Sequence, residues 1–240
     1  MSMFKRILKH EFKNILRDKM YFFFVFFSAL MILVSVFLIP YLRDLESDLA
    51  ANIVVTFFIL MNSFLYGAIT GFTLLDDQDD FVLLSLKITP IKVRSYIFIK
   101  LAISYIFGFI TTLLLIILTG FLETSNFLDV LFIVILAPIQ GPILALIVNS
   151  FASNKVEGFV VMKMSGIILL APIAALFVSN WTELLLGLIP GFWPVRIISM
   201  QLLPTTFFIN STWAYFGLGL IVNIAFGLFL FKLYAKRVNI

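Results

Sequence analysis

The 240-residue chain contains no cysteine and a single histidine, His10. That excludes disulfides, thiolate metal sites and His-cluster metal chemistry, and with them an intramembrane metalloprotease, whose site needs more than one imidazole. Charge is scarce as well. Only 12% of residues are Asp, Glu, Lys or Arg, where soluble domains carry about 25%. No Gly-x-x-x-x-Gly-Lys-Ser/Thr loop occurs, so the polypeptide lacks that means of cradling ATP phosphates. The formal charge of +4 is not gathered into the patch a nucleic acid requires, and no nucleic-acid partner is expected.

What the chain has in excess is apolar surface: 62% of residues are hydrophobic and 29 are phenylalanine, against about 45–50% apolar in soluble domains. Six long runs contain no Asp, Glu, Lys or Arg, and each approaches or exceeds the ~20 residues needed to cross a bilayer core. They predict an all-α integral membrane protein, a single transmembrane domain with spans at 20–42, 50–75, 98–122, 128–152, 162–180 and 211–233. The basic N-terminus followed by an apolar run superficially resembles a signal peptide. An h-region is shorter, however, and no small-x-small cleavage site follows Leu42, so this run is expected to be a retained span.

Six spans place both termini on one side, and the basic residues say which. Of the 17 Lys and Arg, only Arg43 and Arg196 fall opposite the termini, while the other fifteen fall on the terminal side or at its membrane boundary. By the positive-inside rule both termini are expected in the cytoplasm. The basic pI therefore reports topology, not a ligand.

Before the first span, residues 1–19 alternate Phe4, Ile7, Leu8, Phe12, Ile15 and Leu16 with Lys5, Arg6, Lys9, Lys13 and Arg17. This is the pattern of an amphipathic helix lying in the interface, its apolar face toward lipid. Residues 183–208 are mostly apolar but interrupted by Pro190, Pro194 and Pro204, and are expected to fold back as short broken helices in the outer leaflet. Polar residues within spans are few. Asn62 and Tyr66, at i and i+4, share a face, and with Gln140 and Asn149 they are candidates for a translocation path or for interhelical ties. APIQGP at 137–142 should kink the fourth span, and Gly67-x-x-x-Gly71 permits close helix approach.

The cytoplasmic connector 76–92 carries the densest chemistry. Asp79 and Asp80 are expected at the head of a short helix and Lys87 near its end, both complementing the helix dipole, with Pro90 as the stop. Phe81, Val82, Leu84 and Leu86 give that helix an apolar surface suited to docking.

The stretch LLDDQDDFVLLSLKITPIKVRSYIFIK at 74–100 resembles the acidic-x-acidic, Leu-rich, Thr-Pro-Ile, Tyr…Lys pattern of ABC-2 type exporter permeases, drug-export permeases among them. The order of parts is similar over the whole chain: a basic elbow helix, a coupling helix between spans two and three, and a re-entrant outer segment between spans five and six. The resemblance implies a permease subunit in the bacterial plasma membrane that moves a hydrophobic or amphipathic substrate (drug, peptide or lipid-like) outward by alternating access. Its partners would be a separate ABC ATPase, which holds ATP and Mg, a second permease copy or homologue, and membrane lipid. Asp76, Asp77, Asp79, Asp80, Phe81, Leu84, Lys87, Thr89 and Pro90 would then form the ATPase-coupling segment, and Pro190, Trp193 and Pro194 the outer gate. No catalytic residue, cofactor or metal is expected in this chain. The same aspartates permit an alternative, a Mg-dependent membrane prenyltransferase in which carboxylates hold the ion that bridges substrate phosphates. Such an enzyme needs a second acidic motif, and the other inner acids are Glu11, Asp18 and Glu157.

The topology is directly testable, because the chain has no native cysteine. Single cysteines at Ser47 and Ser125 are expected to react with an impermeant maleimide in intact cells, and one at Ser153 is not. Labelling at Ser153 alone would invert the orientation.

Overall fold

A computed structural model describes residues 3–89, 92–120, 125–203 and 207–239. The side chains of residues 3–6, 10–11 and 168–170 lie outside that description. The described residues form helices throughout, and six of these are long and apolar enough to cross a membrane.

Helix α1 spans Met3–Arg17. Asp18 ends it and caps the next helix, its carboxylate accepting from the Met20 amide at 2.8 Å. Helix α2 (Lys19–Asp44) leads through Glu46, at φ 55°, into the longest helix, α3 (Asp48–Asp79). A short helix α4 (Val82–Leu86) precedes α5 (Val93–Thr119), which ends on Gly120 at φ 58°. The left-handed conformation there costs glycine nothing and closes the helix.

The fourth crossing is broken as its prolines predict. Helix α6 (Phe127–Leu136) passes through a 3₁₀ turn at Ala137–Ile139 into α7 (Gln140–Phe151). Helix α8 (Lys155–Leu170) continues in 3₁₀ form to Leu176. Asn154 accepts from the Glu157 amide at 3.0 Å and Glu157 accepts from the Ser153 amide at 2.6 Å, a reciprocal cap that fixes where α8 begins. Two short helices follow, α9 (Glu183–Leu186) and α10 (Phe192–Leu202), and then α11 (Thr212–Arg237).

Helix α3 is the central element, packed on α2, α5, α7 and α8, while α11 packs on α7 and α10. Its contact with α7 is made backbone to backbone. A Cβ on Gly67 would lie 2.4 Å from the Gly141 carbonyl oxygen, and one on Gly141 would lie 2.9 Å from the Ser63 carbonyl. The Gly67-x-x-x-Gly71 spacing thus marks a real helix seam, with Gly71 against Ala145 and Val148.

Two boundaries differ from the sequence expectation. Helix α3 runs on through the acidic stretch to Asp79, so Asp79 lies, with Asp76 and Asp77, in the last turn of a long helix and Asp80 caps that helix, and neither Asp79 nor Asp80 is at the head of a short one. Nothing between Leu75 and Asp79 breaks a helix. The residue that does end it is Phe81, at φ 57°. Four acids at a helix C-terminus are unfavourable by the dipole argument, and cations from other helices compensate two of them, Asp76 and Asp77. The second difference is α8, which starts at Lys155 instead of residue 162 and so carries Lys163 well inside its length.

Elsewhere α1 is amphipathic as expected, but its apolar side is shared between protein and solvent. Ile7 and Ile15 pack on the bundle, whereas Phe12 and Leu16 are exposed.

The Gly67 contact sets a test. Gly67→Ala forces α3 from α7 against unyielding backbone and is expected to cost at least the ~1–3 kcal/mol typical of overpacking. Gly166→Ala, whose Cβ meets nothing within 4 Å, should be neutral or slightly stabilising. Thermal unfolding in detergent compares them, and equal melting temperatures for the two variants would refute the seam.

Candidate functional site

One end of the bundle gathers the last turn of α3, the starts of α2, α5 and α8, and the ends of α7 and α11. Asp77 is buried and pairs with Lys100 of α5, itself 1% exposed. The Tyr96 hydroxyl donates to the Asp77 Oδ2 at 2.9 Å, and Lys100 Nζ donates to the Thr73 carbonyl at 3.3 Å. Asp76 accepts from the Tyr21 hydroxyl and pairs with Lys155 Nζ of α8 at 2.8 Å. Gln78 Nε2 donates to Asn149 Oδ1 at 2.8 Å and to the Tyr234 hydroxyl at 3.3 Å. Asn149 Nδ2 in turn donates to the Gly71 carbonyl at 2.9 Å, and Arg237 reaches the Asn149 carbonyl at 3.2 Å. One turn of α3 is thereby tied to α2, α5, α7, α8 and α11.

The expected coupling residues divide into two groups. Asp76 and Asp77 are engaged inside this knot, Asp77 buried and Asp76 partly exposed. Asp79 and Asp80 are exposed, and so are Phe81 (65%), Leu84 (54%) and Ile88 (91%). Leu83 of the same helix is buried and anchors it to the bundle. Phe81 adopts the left-handed conformation, rare and strained for a bulky residue. Lys87 donates to the Asn239 carbonyl at 3.1 Å, and the exposed Thr89 hydroxyl to the Leu86 carbonyl at 2.8 Å. Pro90 lies outside the described residues. Beside α4, an open cleft of about 470 Å³ is lined by Arg17, Asp18, Tyr21, Asp76, Asp77 and Asp80.

The four candidate path residues are all bonded within the bundle. Asn62 accepts from Ser28 of α2 and donates to the Phe58 carbonyl at 2.9 Å. Tyr66 stacks on Phe107 with ring centroids 5.5 Å apart. Gln140 donates to Asn223 of α11 at 2.9 Å, and Asn149 belongs to the knot around Asp77 and Lys100. These contacts favour the interhelical-tie reading over a path role.

The opposite end holds a second knot that sequence reasoning missed. Glu183 and Arg196, both with fully buried side chains, pair at 2.7 Å. The Tyr215 hydroxyl donates to Glu183, Arg196 Nη2 donates to the Val178 carbonyl, and the guanidinium lies over the rings of Phe207 (4.9 Å) and Phe192 (5.4 Å). Burial pulls the Arg196 guanidinium below its ordinary pKa, and the Glu183 carboxylate opposes that shift. Pro190, Trp193 and Pro194 are buried among these contacts. Trp193 Nε1 donates to the Gly187 carbonyl at 3.0 Å, and Asn223 Nδ2 to the Pro190 carbonyl at 3.2 Å. The signal available in sequence was one acid and one base of opposite sign in an otherwise apolar segment.

A family model for the fluoroquinolones export permease protein Rv2686c-like proteins matches residues 11–231. The chain belongs to this family. Two curated relatives, the fluoroquinolones export permease proteins Rv2686c and MT2760 of Mycobacterium tuberculosis strains H37Rv and CDC 1551, are each 23% identical over 191 residues. The alignment covers 77% of this chain and 72% of either relative. No solved structure matches. The resemblance to drug-export permeases drawn from residues 74–100 is therefore borne out, and with it an all-α, six-span chain.

The Asp77–Lys100 knot makes an asymmetric prediction. Lys100→Met leaves the Asp77 carboxylate buried without its cation and is expected to destabilise the protein by about 3–5 kcal/mol. The double variant Asp77→Asn/Lys100→Met should recover most of that loss. Melting temperatures in detergent measure both, and additive losses would show that the two groups do not act as a pair.

Proposed function

We propose that this chain is the membrane-spanning subunit of an ABC exporter, with both termini in the cytoplasm of a bacterial cell. It works beside a second permease copy or a homologue, and a separate ATPase supplies ATP hydrolysis with Mg. The observation that carries this reading is the patch of Phe81, Leu84 and Ile88, with Asp79 and Asp80 at its edge, projecting from the inner end of the bundle. Apolar side chains that exposed and ringed by charge suit a protein interface better than lipid or water. The segment is also mechanically continuous with the bundle, because α4 is joined to α3 through only Asp80 and the strained Phe81 and the last turn of α3 grips five other helices. A push on α4 would reach the whole bundle, which alternating access between two protomers requires. The relatives' names support outward transport of an amphipathic aromatic drug as the substrate class.

Two of the four aspartates that the prenyltransferase alternative would use are engaged within the bundle. Asp77 is spent on Lys100 and Asp76 on Lys155 and Tyr21. Among the described residues no group of three or more acids or imidazoles is placed to hold a metal ion.

Tagged protein purified from its native membranes should carry Mg-dependent ATP hydrolysis with it. Phe81→Gly keeps the left-handed turn while deleting the ring, so it isolates docking from backbone strain. Both it and Leu84→Ala are expected to weaken ATPase retention by about 30-fold, the ~2 kcal/mol of an interface anchor. Asp79→Asn should have a small, salt-sensitive effect. Full ATPase retention by Phe81→Gly would refute the docking role, and activity lost with Asp80→Asn but not with Phe81→Gly would restore the prenyltransferase reading.

A further inference from the structure

Helix α8 and its 3₁₀ extension run from Lys155 to Leu176, 22 residues, or about 36 Å with the longer rise of the 3₁₀ part, enough to cover a bilayer core. Lys163 lies eight residues in, about 12 Å from the start and roughly a third of the way along. It is exposed, and it makes no ion pair or hydrogen bond among the described residues. Its neighbours on the same face, Val156, Val160, Met164 and Ile167, are exposed and apolar. The outward faces of α2 (Phe22, Phe26, Leu33, Phe37) and α11 (Ile221, Ile224, Leu228) carry no charge over the same depth, as lipid-facing surfaces should. The α8 face therefore differs in kind. Lysines at the ends of spans turn their ammonium back to the interface, but a stem of four methylenes cannot cover the distance from Lys163 to the level of Lys155. A charge at this depth must meet water or an anion, and intramembrane ions mark functional paths by default.

We propose that Lys163 lines a wet path between two permease copies and binds the carboxylate of an amphipathic aromatic cargo. One cation set in an apolar wall selects a ligand with one anionic group on an apolar body. Fluoroquinolones, the class for which the curated relatives are named, carry an aryl carboxylate. Twofold pairing would bring a second Lys163 to the same path and strengthen the field for an anion. This inference rests on the exporter reading for the cargo, but the wetness of the α8 face is independent of it.

The absence of native cysteine gives a clean test in the full complex. Ile167→Cys, one turn deeper than Lys163 on the same face, is compared with Leu33→Cys on α2 in inside-out vesicles. A water-soluble anionic thiosulfonate is expected to modify Ile167→Cys at least about tenfold faster than Leu33→Cys. Adding Lys163→Gln should slow the anionic reagent several-fold while leaving its cationic counterpart unslowed, a charge signature that loss of packing would not produce. A fluoroquinolone should protect Ile167→Cys when Lys163 is present, and its carboxylate ester should not. In drug-efflux assays Lys163→Gln should lower export of the acid about tenfold and spare the ester, with Lys163→Arg retaining export. Equal, slow modification at positions 167 and 33 overturns the proposal. So does modification by lipid-soluble maleimide alone with activity set by anionic phospholipid content, which would assign Lys163 to a lipid phosphate. If the wild-type chain retains no ATPase and exports nothing, the exporter reading fails separately, and the reagent rates still decide whether Lys163 faces water.

Discussion

The backbone contact between Gly67 and Gly141 is the constraint on which the rest of this bundle depends. In a bilayer the hydrophobic effect does not press helices together, so association relies on close packing and on polar ties. With no Cβ on either side, α3 and α7 approach until the Gly141 carbonyl and Cα occupy the space a side chain on Gly67 would need. That approach brings Asn149 within reach of the Gly71 carbonyl and Gly71 against Val148. Once α3 and α7 are seated, α2, α5 and α8 pack around α3, and α11 on α7. A helix pair held one side-chain layer further apart would leave the amide of Asn149 without its cross-helix acceptor.

The two charged knots then specify the ends of the bundle. Buried ion pairs are poor sources of net stability, because desolvation consumes most of the attraction, but a wrong register would strand an ion in hydrocarbon. Asp77 with Lys100 fixes α3 against α5, and Glu183 with Arg196 fixes the α9–α10 segment against the start of α11 through Tyr215. The knots differ in exposure. The outer one is sealed under aromatic rings, whereas the inner one borders an open cleft and the projecting helix α4. On the exporter reading that asymmetry is functional: the outer segment holds its shape while the inner end receives force.

Features encoded locally were legible in the sequence. The existence of six spans, the break at APIQGP and the Gly67–Gly71 spacing each depend on neighbours within a few residues, and each is found, with the boundaries of α3 and α8 shifted. The apolar exposure of Phe81 and Leu84 was legible for the same reason. Pairings between distant segments were not. Lys100 read as a boundary lysine, because nothing near it in sequence shows that Asp77, on another helix, lies against it. Asp79 and Asp80 read as an N-terminal acidic cap, because the dipole rule favours that placement and the cations that offset their neighbours Asp76 and Asp77 belong to other helices. Lys163 read as an interfacial residue only because α8 was started at residue 162. The reciprocal cap of Asn154 and Glu157, an Asn-x-x-Glu pattern, was the local signal that places the start earlier.

That earlier start connects the docking end of the protein to the face bearing Lys163. Lys155, the first residue of α8, pairs with Asp76 in the last turn of α3, and Asp76 also holds Tyr21 at the start of α2. Farther along, a Cβ on Gly158 would collide with Leu75 and Phe72, so α8 lies directly against α3 over its first turns. Beyond that, Val160, Met164 and Ile167 are exposed. Helix α8 is thus attached at its first turns to the same turn of α3 that carries α4. On the exporter reading, displacement of α4 shifts the Asp76–Lys155 attachment, and α8 pivots about it. The part of α8 that travels furthest in such a motion lies beyond Gly158, where the unpaired ammonium of Lys163 sits.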